Sequence, residues 1–75
     1  MFEYPKIDTI KTGKNIRKLC QEQNKTVSEI QTALHIGSNQ AIYSWFNGRT
    51  MPSVDSLYAL SCFLEVSIEE ILITK

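Results

Sequence analysis

Short uncharged polar side chains are concentrated between Ser38 and Asn47, and this segment has the clearest potential for chemistry in the chain. At about 100° per residue around a helix, Gln40, Ser44 and Asn47 lie within about 60° of one another. The apolar Ile42 lies on the opposite side. Amide and hydroxyl side chains can hydrogen-bond to the edges of DNA bases, and Gln or Asn is suited to adenine. A merely polar surface is the alternative, although such a surface more often carries Lys and Glu.

Caps and apolar spacing divide the chain into five short helices, and no segment is predicted to be a strand. Ser38 is a good N-cap for the third helix, which ends where Asn47-Gly48 supplies a C-cap. The Thr-x-x-Glu box at Thr26 and the Ser-x-x-Glu box at Ser67 predict the starts of the second and fifth helices. Ser53 is predicted to cap the fourth helix. The residues predicted to face inward are, helix by helix, Ile16, Leu19 and Cys20; Val27, Ile30 and Leu34; Ile42, Trp45 and Phe46; Val54, Leu57, Leu60 and Leu64; and Ile68, Ile71 and Leu72.

Two of the helix boundaries allow more than one interpretation. The first helix begins either at Asp8, a possible N-cap, or later, because Gly13 would weaken a first turn. Residues 34–38 leave only about two to four residues between the second and third helices, as a helix-turn-helix pair requires, although a plain antiparallel hairpin has an equally short turn. Gly37 is predicted to supply the positive-φ residue of this turn, and His35 is predicted to be a polar surface residue.

Size and composition narrow the classes of function. The chain has 75 residues, 43 % of them hydrophobic, which fits a single domain with one modest core. A chain of this size buries only about 60 % of its unfolded surface, which disfavours a deep catalytic cavity. No motif links the one histidine, His35, to a nucleophile or a carboxylate, as an acid-base catalytic site would require. We therefore expect that the protein is not an enzyme and that it has no cofactor, metal or small-molecule site. We also expect a cytoplasmic protein, because no apolar stretch approaches the roughly 18 residues of a membrane span. Cys20 and Cys62 are predicted to be buried free thiols.

Charge is distributed unevenly along the chain, although the formal net charge is zero. Residues 1–50 contain seven basic and four acidic side chains, whereas residues 51–75 contain one basic and four acidic side chains. A zero net charge argues mildly against a nucleic-acid partner, since phosphate binding is driven by basic side chains. The uneven distribution instead predicts that one face of the protein is suited to bind an anion and that the part formed by residues 51–75 is acidic.

Five motifs occur in order along the chain: Ile16-Arg17-x-Leu19, the helix from Thr26 to His35, Ile42-x-x-Trp45-x-Asn47-Gly48-Arg49, Pro52-Ser53, and Leu57-x-x-Leu60-x-x-x-Leu64-x-Val66-Ser67. Together they resemble the Xre/Cro-type helix-turn-helix family of phage and bacterial repressors, over roughly residues 9–73. The resemblance implies a compact five-helix bundle of the lambda-repressor-like DNA-binding type. Its helix-turn-helix would consist of helices two and three, with the third, about Ser38–Asn47, in the major groove.

The resemblance also implies which residues contact DNA. Asn39, Gln40 and Ser44 occupy base-contacting positions, and Ala41 is placed to contact a thymine methyl group. Tyr43, at the flank of the helix, is either a base or phosphate contact or a surface ring. Phosphate contacts are expected from Arg49 above all, and then from Thr26, Ser38, Asn47, Thr50, Lys14 and Lys25.

The chain departs from the family pattern at several positions. His35 stands where the family usually has glycine, and one extra residue lies between Leu34 and Ile42. Cys20 and Phe46 replace an arginine and a glutamate that many members pair, and we predict an apolar contact between them. Met51 stands where further basic residues are common. With about four to six phosphates neutralised, we expect a slope of log K against log salt of about −4 to −5.

The expected function is sequence-specific binding of double-stranded DNA by a small transcriptional regulator, a repressor. Two copies are expected on a pseudo-palindromic site with half-sites about 34 Å apart. A weak homodimer interface would include exposed apolar residues of the last helix, such as Ile73. The alternative, from a different class, is a protein-interaction module, antitoxin-like or an anti-repressor adaptor, that reuses the same fold.

Overall fold

The computed structural model describes residues 2–75, and Met1, the first residue of the predicted domain, lies outside them. The described chain folds into five α-helices: α1 (Thr9–Glu22), α2 (Val27–Ala33), α3 (Asn39–Phe46), α4 (Val54–Leu64) and α5 (Ile68–Ile71). The predicted all-α fold, with a helix-turn-helix at α2 and α3, is confirmed.

Every helix begins at a residue whose side chain caps it. The oxygen of each cap accepts a hydrogen bond from a backbone N–H of the first turn, which a helix would otherwise leave unpaired. The boxes at the starts of α2 and α5 are complete, because the glutamate of each also accepts a bond from the cap's own N–H. The N-caps of α1 to α5 are, in order, Asp8, Thr26, Ser38, Ser53 and Ser67.

All five helices contribute to one apolar core, and most residues predicted to face inward do so. Val54 is the one exposed residue among them, with 81 % of its surface exposed, while Ile68 and Leu72 are half-buried outside the core cluster. Val54 is the first residue of α4, directly after the cap Ser53, and its side chain lies outside the core. Leu57, one turn later, is the first α4 side chain that packs against the core. The buried apolar residues are Ile16, Cys20, Ile30, Ile42, Trp45, Leu60, Leu64 and Ile71.

The turn between α2 and α3 is built differently from the prediction. His35, and not Gly37, has the positive φ, at 55°. The N–H of His35 donates to the carbonyl of Thr32, and the N–H of Ile36 donates to that of Gln31. These two bonds form a Schellman motif, which requires the left-handed conformation at the position of His35. His35 is exposed, as predicted, while the following Ile36 packs against the core.

The two ends of the chain are joined by a short extended pairing that the sequence did not predict. Ile7 and Thr74 form an isolated antiparallel bridge. The N–H of Asp8 donates to the carbonyl of Ile73 at 2.7 Å. Ile73 was predicted to be exposed on the last helix, but it lies beyond the end of α5 and is half-buried. The prediction was wrong because α5 is only four residues long, and the chain after it is extended and bonded to the N-terminal segment.

The two cysteines differ in accessibility, contrary to the prediction that both are buried. Cys20 is 2 % exposed within the core, and burial raises the pKa of its thiol to about 11. Cys62 is exposed, because it lies one turn after Tyr58 on the outer face of α4. We expect the Cys62 thiol to react rapidly with a thiol-specific reagent in the native protein. The Cys20 thiol should react only after unfolding, since the thiolate is the reactive species. A Cys62→Ser variant should lose the rapid phase, and equal reaction rates of both thiols would contradict the assignment.

Candidate functional site

The outward face of α3 carries the residues that were predicted to contact bases. Asn39, Gln40 and Tyr43 are exposed, whereas Ala41 and Ser44 are half-buried. Asn39 and Gln40 lie in the first turn of the helix, directly after the N-cap Ser38. The hydroxyl and amide groups of this face are therefore available to a partner at the N-terminal end of α3.

The opposite face of α3 fixes the helix in the domain. Ile42 is fully buried, and Trp45 is 5 % exposed, which confirms its predicted place in the core. Two large buried side chains one turn apart prevent rotation of the helix about its axis. The exposure of Gln40 is thus set by core packing.

The cap of α3 leaves one hydrogen-bonding function free. The hydroxyl oxygen of Ser38 accepts a bond from the N–H of Gln40 at 3.1 Å. A serine hydroxyl also carries a donor proton. Ser38 can therefore cap the helix and donate to a phosphate oxygen at the same time.

The start of α2 is less open to an anion than the sequence suggests. The N–H of Thr26 donates to Oε1 of Glu29 at 3.0 Å, and the Thr26 hydroxyl donates to the same oxygen at 3.1 Å. These bonds hold the pKa of the exposed Glu29 carboxyl below its ordinary value, so the group is ionised at neutral pH. A carboxylate thus occupies the donors of Thr26 itself, and any phosphate bond here must come from neighbouring groups.

The loop after α3 is folded back on the helix. The backbone N–H groups of Arg49 and Thr50 both donate to the carbonyl of Ser44, at 3.0 and 3.5 Å. Gly48 has a φ of 75°, and a Cβ there would lie 2.8 Å from the Cα of Ile10. The side chains of Arg49 and Thr50 are exposed, so the loop presents them beside the C-terminal end of α3.

A cleft of about 350 Å³ lies between α1, the start of α2 and α3. Its apolar part includes Cys20 and Phe46, the two residues predicted to contact each other. Phe46 is half-buried and packs against the core that contains Cys20, and its ring meets that of Tyr43 edge-on, with centroids 6.1 Å apart. The cleft brings together four predicted contact residues with two that the prediction omitted. Its lining residues are Arg17, Cys20, Gln21, Lys25, Thr26, Val27, Tyr43, Phe46 and Asn47.

Arg17 and Gln21 line the cleft but were not predicted to be site residues. They are four residues apart on α1, and this spacing places both on one face of the helix. The spacing was visible in the sequence, but it does not show that this face borders α3. Lys14, the α1 residue that was predicted to contact phosphate, is exposed but does not line the cleft.

Residues 2–75 contain no group of three or more His, Cys, Asp or Glu side chains that could hold a metal ion. Within the same residues, no helix has the length and apolarity needed to cross a membrane.

A family model described as helix-turn-helix matches residues 16–71 of this chain. The matched region includes α2, α3 and α4 completely and extends through α5. No curated protein matches the sequence.

Two solved structures have a similar fold. The restriction-modification controller protein C.AhdI from Aeromonas hydrophila has a TM-score of 0.77 at 16 % sequence identity, and the match covers 85 % of this chain and 96 % of that one. A transcriptional regulator from Listeria innocua has a TM-score of 0.75 at 19 % identity, with 89 % of this chain and 59 % of that one covered. Identities this low establish the similarity of fold alone.

Proposed function

Because this chain belongs to the Xre/Cro-like helix-turn-helix family of DNA-binding transcription regulators, we propose that it recognises a specific duplex sequence with α3 in the major groove. The observation that carries this proposal is the exposure of Asn39 and Gln40 in the first turn of α3. The buried Ile42 and Trp45 hold the helix rigidly behind them. Amide side chains on a rigid helix end are suited to pair with adenine in the major groove.

In this proposal, base contacts come from α3 and phosphate contacts come from its surroundings. Ala41, Tyr43 and Ser44 complete the base-reading face. Arg49 is the principal cation of the loop after α3, and its exposed guanidinium is suited to bind a phosphate in bidentate fashion. The lesser phosphate contacts proposed are Ser38, Asn47, Thr50 and Lys14. Thr26 and Lys25 are left out, because Thr26 donates to the Glu29 carboxylate and the ammonium of Lys25 lies over the Phe63 ring.

This proposal is tested by selecting the preferred sequence from a randomised duplex pool. Binding to the pool and to the selected sequence is then measured by fluorescence anisotropy at several salt concentrations. We expect Gln40→Ala to lose about 1–3 kcal/mol on the selected sequence, or about 5- to 150-fold, and to relax selection at one position. We expect Arg49→Ala to weaken binding on all sequences alike and to make the salt slope less steep by about 1. Lys75→Ala, which removes one positive charge at the paired chain ends, is the charge-matched control.

The same titrations distinguish the proposed function from the alternative. An absence of salt-dependent binding by the wild type would refute DNA recognition and leave a protein-interaction module, antitoxin-like or an anti-repressor adaptor. Equal losses from Gln40→Ala on selected and random DNA would refute its role in base recognition.

We further propose that the protein acts as a repressor, since a regulator without a second activity can still block a site that polymerase needs. Binding as two copies on a pseudo-palindrome would bring the recognition helices into successive turns of the groove, about 34 Å apart. Titrations of duplexes with one and with two half-sites measure how many protein copies bind each duplex, and two copies on the longer site are expected.

A further inference from the structure

We propose that a backbone phosphate of DNA binds in the cleft between α1 and α3, with Arg17 as its main anchor. This inference rests on the proposed DNA-binding function and adds Arg17, and the face of α1 that borders the cleft, to the groups that contact DNA. It concerns a residue outside the helix-turn-helix and the loop that follows α3. Arg17 is exposed and lines the cleft beside the residues of α3 that face outward.

Thr26 borders two cavities, and their charges indicate that an anion would bind in the cleft beside α1. Among the residues that line the cleft, only Arg17 and Lys25 are charged, and both are basic. A second cavity on the outer side of α2 is also lined by Thr26, but its one charged lining residue is Glu29. A phosphate is therefore attracted to the first cavity and repelled from the second.

Arg17, and not Lys25, is the cation that remains free for the phosphate. The Nζ of Lys25 lies 4.7 Å from the centroid of the Phe63 ring. Phe63 and Glu29 both line the outer cavity, and the charge of Lys25 helps to lower the pKa of the Glu29 carboxyl. The ammonium of Lys25 is thus directed towards the ring and the carboxylate on the other side of Thr26.

The walls of the cleft supply further hydrogen-bonding groups. Gln21 lies one turn after Arg17 on α1, while Tyr43 lies on α3 and Asn47 is the C-cap of α3. The floor includes Cys20, whose thiol is neutral and does not repel an anion. A guanidinium can make two parallel bonds to phosphate oxygens, which fixes orientation as well as position. A phosphate held between α1 and α3 would therefore fix the angle at which α3 enters the groove.

The test compares Arg17→Gln with Lys18→Gln in anisotropy titrations on the selected duplex and on random duplex. Both variants remove one exposed positive charge from adjacent positions of α1, but only Arg17 lines the cleft. We expect Arg17→Gln to weaken binding about tenfold or more on both duplexes, since a hydrogen bond to a charged group contributes about that much. The salt slope should become less steep by about 1. Lys18→Gln and Lys25→Gln should each cost less than about threefold, and Arg17→Lys should restore part of the loss.

Equal effects of Arg17→Gln and Lys18→Gln would overturn the inference while leaving the proposed function intact. A larger loss from Lys25→Gln than from Arg17→Gln would overturn the choice of anchor. If the wild type shows no salt-dependent binding at all, the proposed function fails first, and the inference fails with it.

Discussion

Replacing Gly13 by alanine is expected to destabilise the domain by about 2–3 kcal/mol, although the same change normally stabilises a helix by up to about 1 kcal/mol. Gly13 is buried in the second turn of α1, where α1 crosses the end of α3. A Cβ at this position would lie 2.7 Å from the carbonyl oxygen of Phe46 and closer still to that of Trp45. These are backbone atoms, so the clash cannot be relieved by rotating a side chain, and the two helices must move apart.

Urea denaturation of wild type, Gly13→Ala and Gly37→Ala measures this effect. Gly37 has no positive φ, and a Cβ there would meet no atom within 4 Å. Gly37→Ala should therefore be neutral or stabilising by less than about 1 kcal/mol, because it only reduces the freedom of the unfolded chain. Similar midpoints for the two variants would show that α1 and α3 are not in close backbone contact at Gly13.

Replacing Thr12 by valine is expected to destabilise the domain by about 2 kcal/mol, although the two side chains have nearly the same shape. Thr12 is fully buried. Its hydroxyl accepts a bond from the N–H of Ile73 at 2.9 Å and donates to the carbonyl of Ile73 at 3.3 Å. Valine fills the space but leaves the part-buried N–H of Ile73 without a partner.

Thr12→Ser is the matched control, because it keeps the hydroxyl and loses only a methyl group. We expect the serine variant to be more stable than the valine variant in urea denaturation. Amide exchange of Ile73 and Asp8 should accelerate in Thr12→Val, since Asp8 also donates to the carbonyl of Ile73. A valine variant as stable as wild type, with unchanged exchange, would show that this hydroxyl does not hold the chain ends together.

Gly13 affects the proposed recognition of DNA, because it helps to set the position of α3. The last turn of α3 rests on α1 at Gly13, and the loop that carries Arg49 rests on Ile10 at Gly48. Both contacts are backbone to backbone, so they admit little adjustment. These contacts with α1 fix the exposed face of α3 relative to the cationic residues on either side of α3.

The sequence by itself determined where α2, α3, α4 and α5 begin, because helix starts and amphipathic faces depend on residues within about one turn of each other. The capping boxes at Thr26 and Ser67 predicted the starts of α2 and α5 without tertiary information. The burial of Ile42 and Trp45, and hence the outward face of α3, followed from the spacing of apolar residues. The order of the motifs was enough to predict the family.

Only the tertiary structure decided the features that depend on which elements meet. Whether Val54 and Cys62 are buried depends on where α4 lies against the core, and a helical pattern does not contain that information. Gly13 was predicted only to weaken a helix, but its lack of a side chain lets α1 approach α3 closely. Arg17 became part of the site because folding places its face of α1 beside α3 across the cleft. Local patterns fix the elements, whereas contacts between residues distant in sequence are fixed by packing.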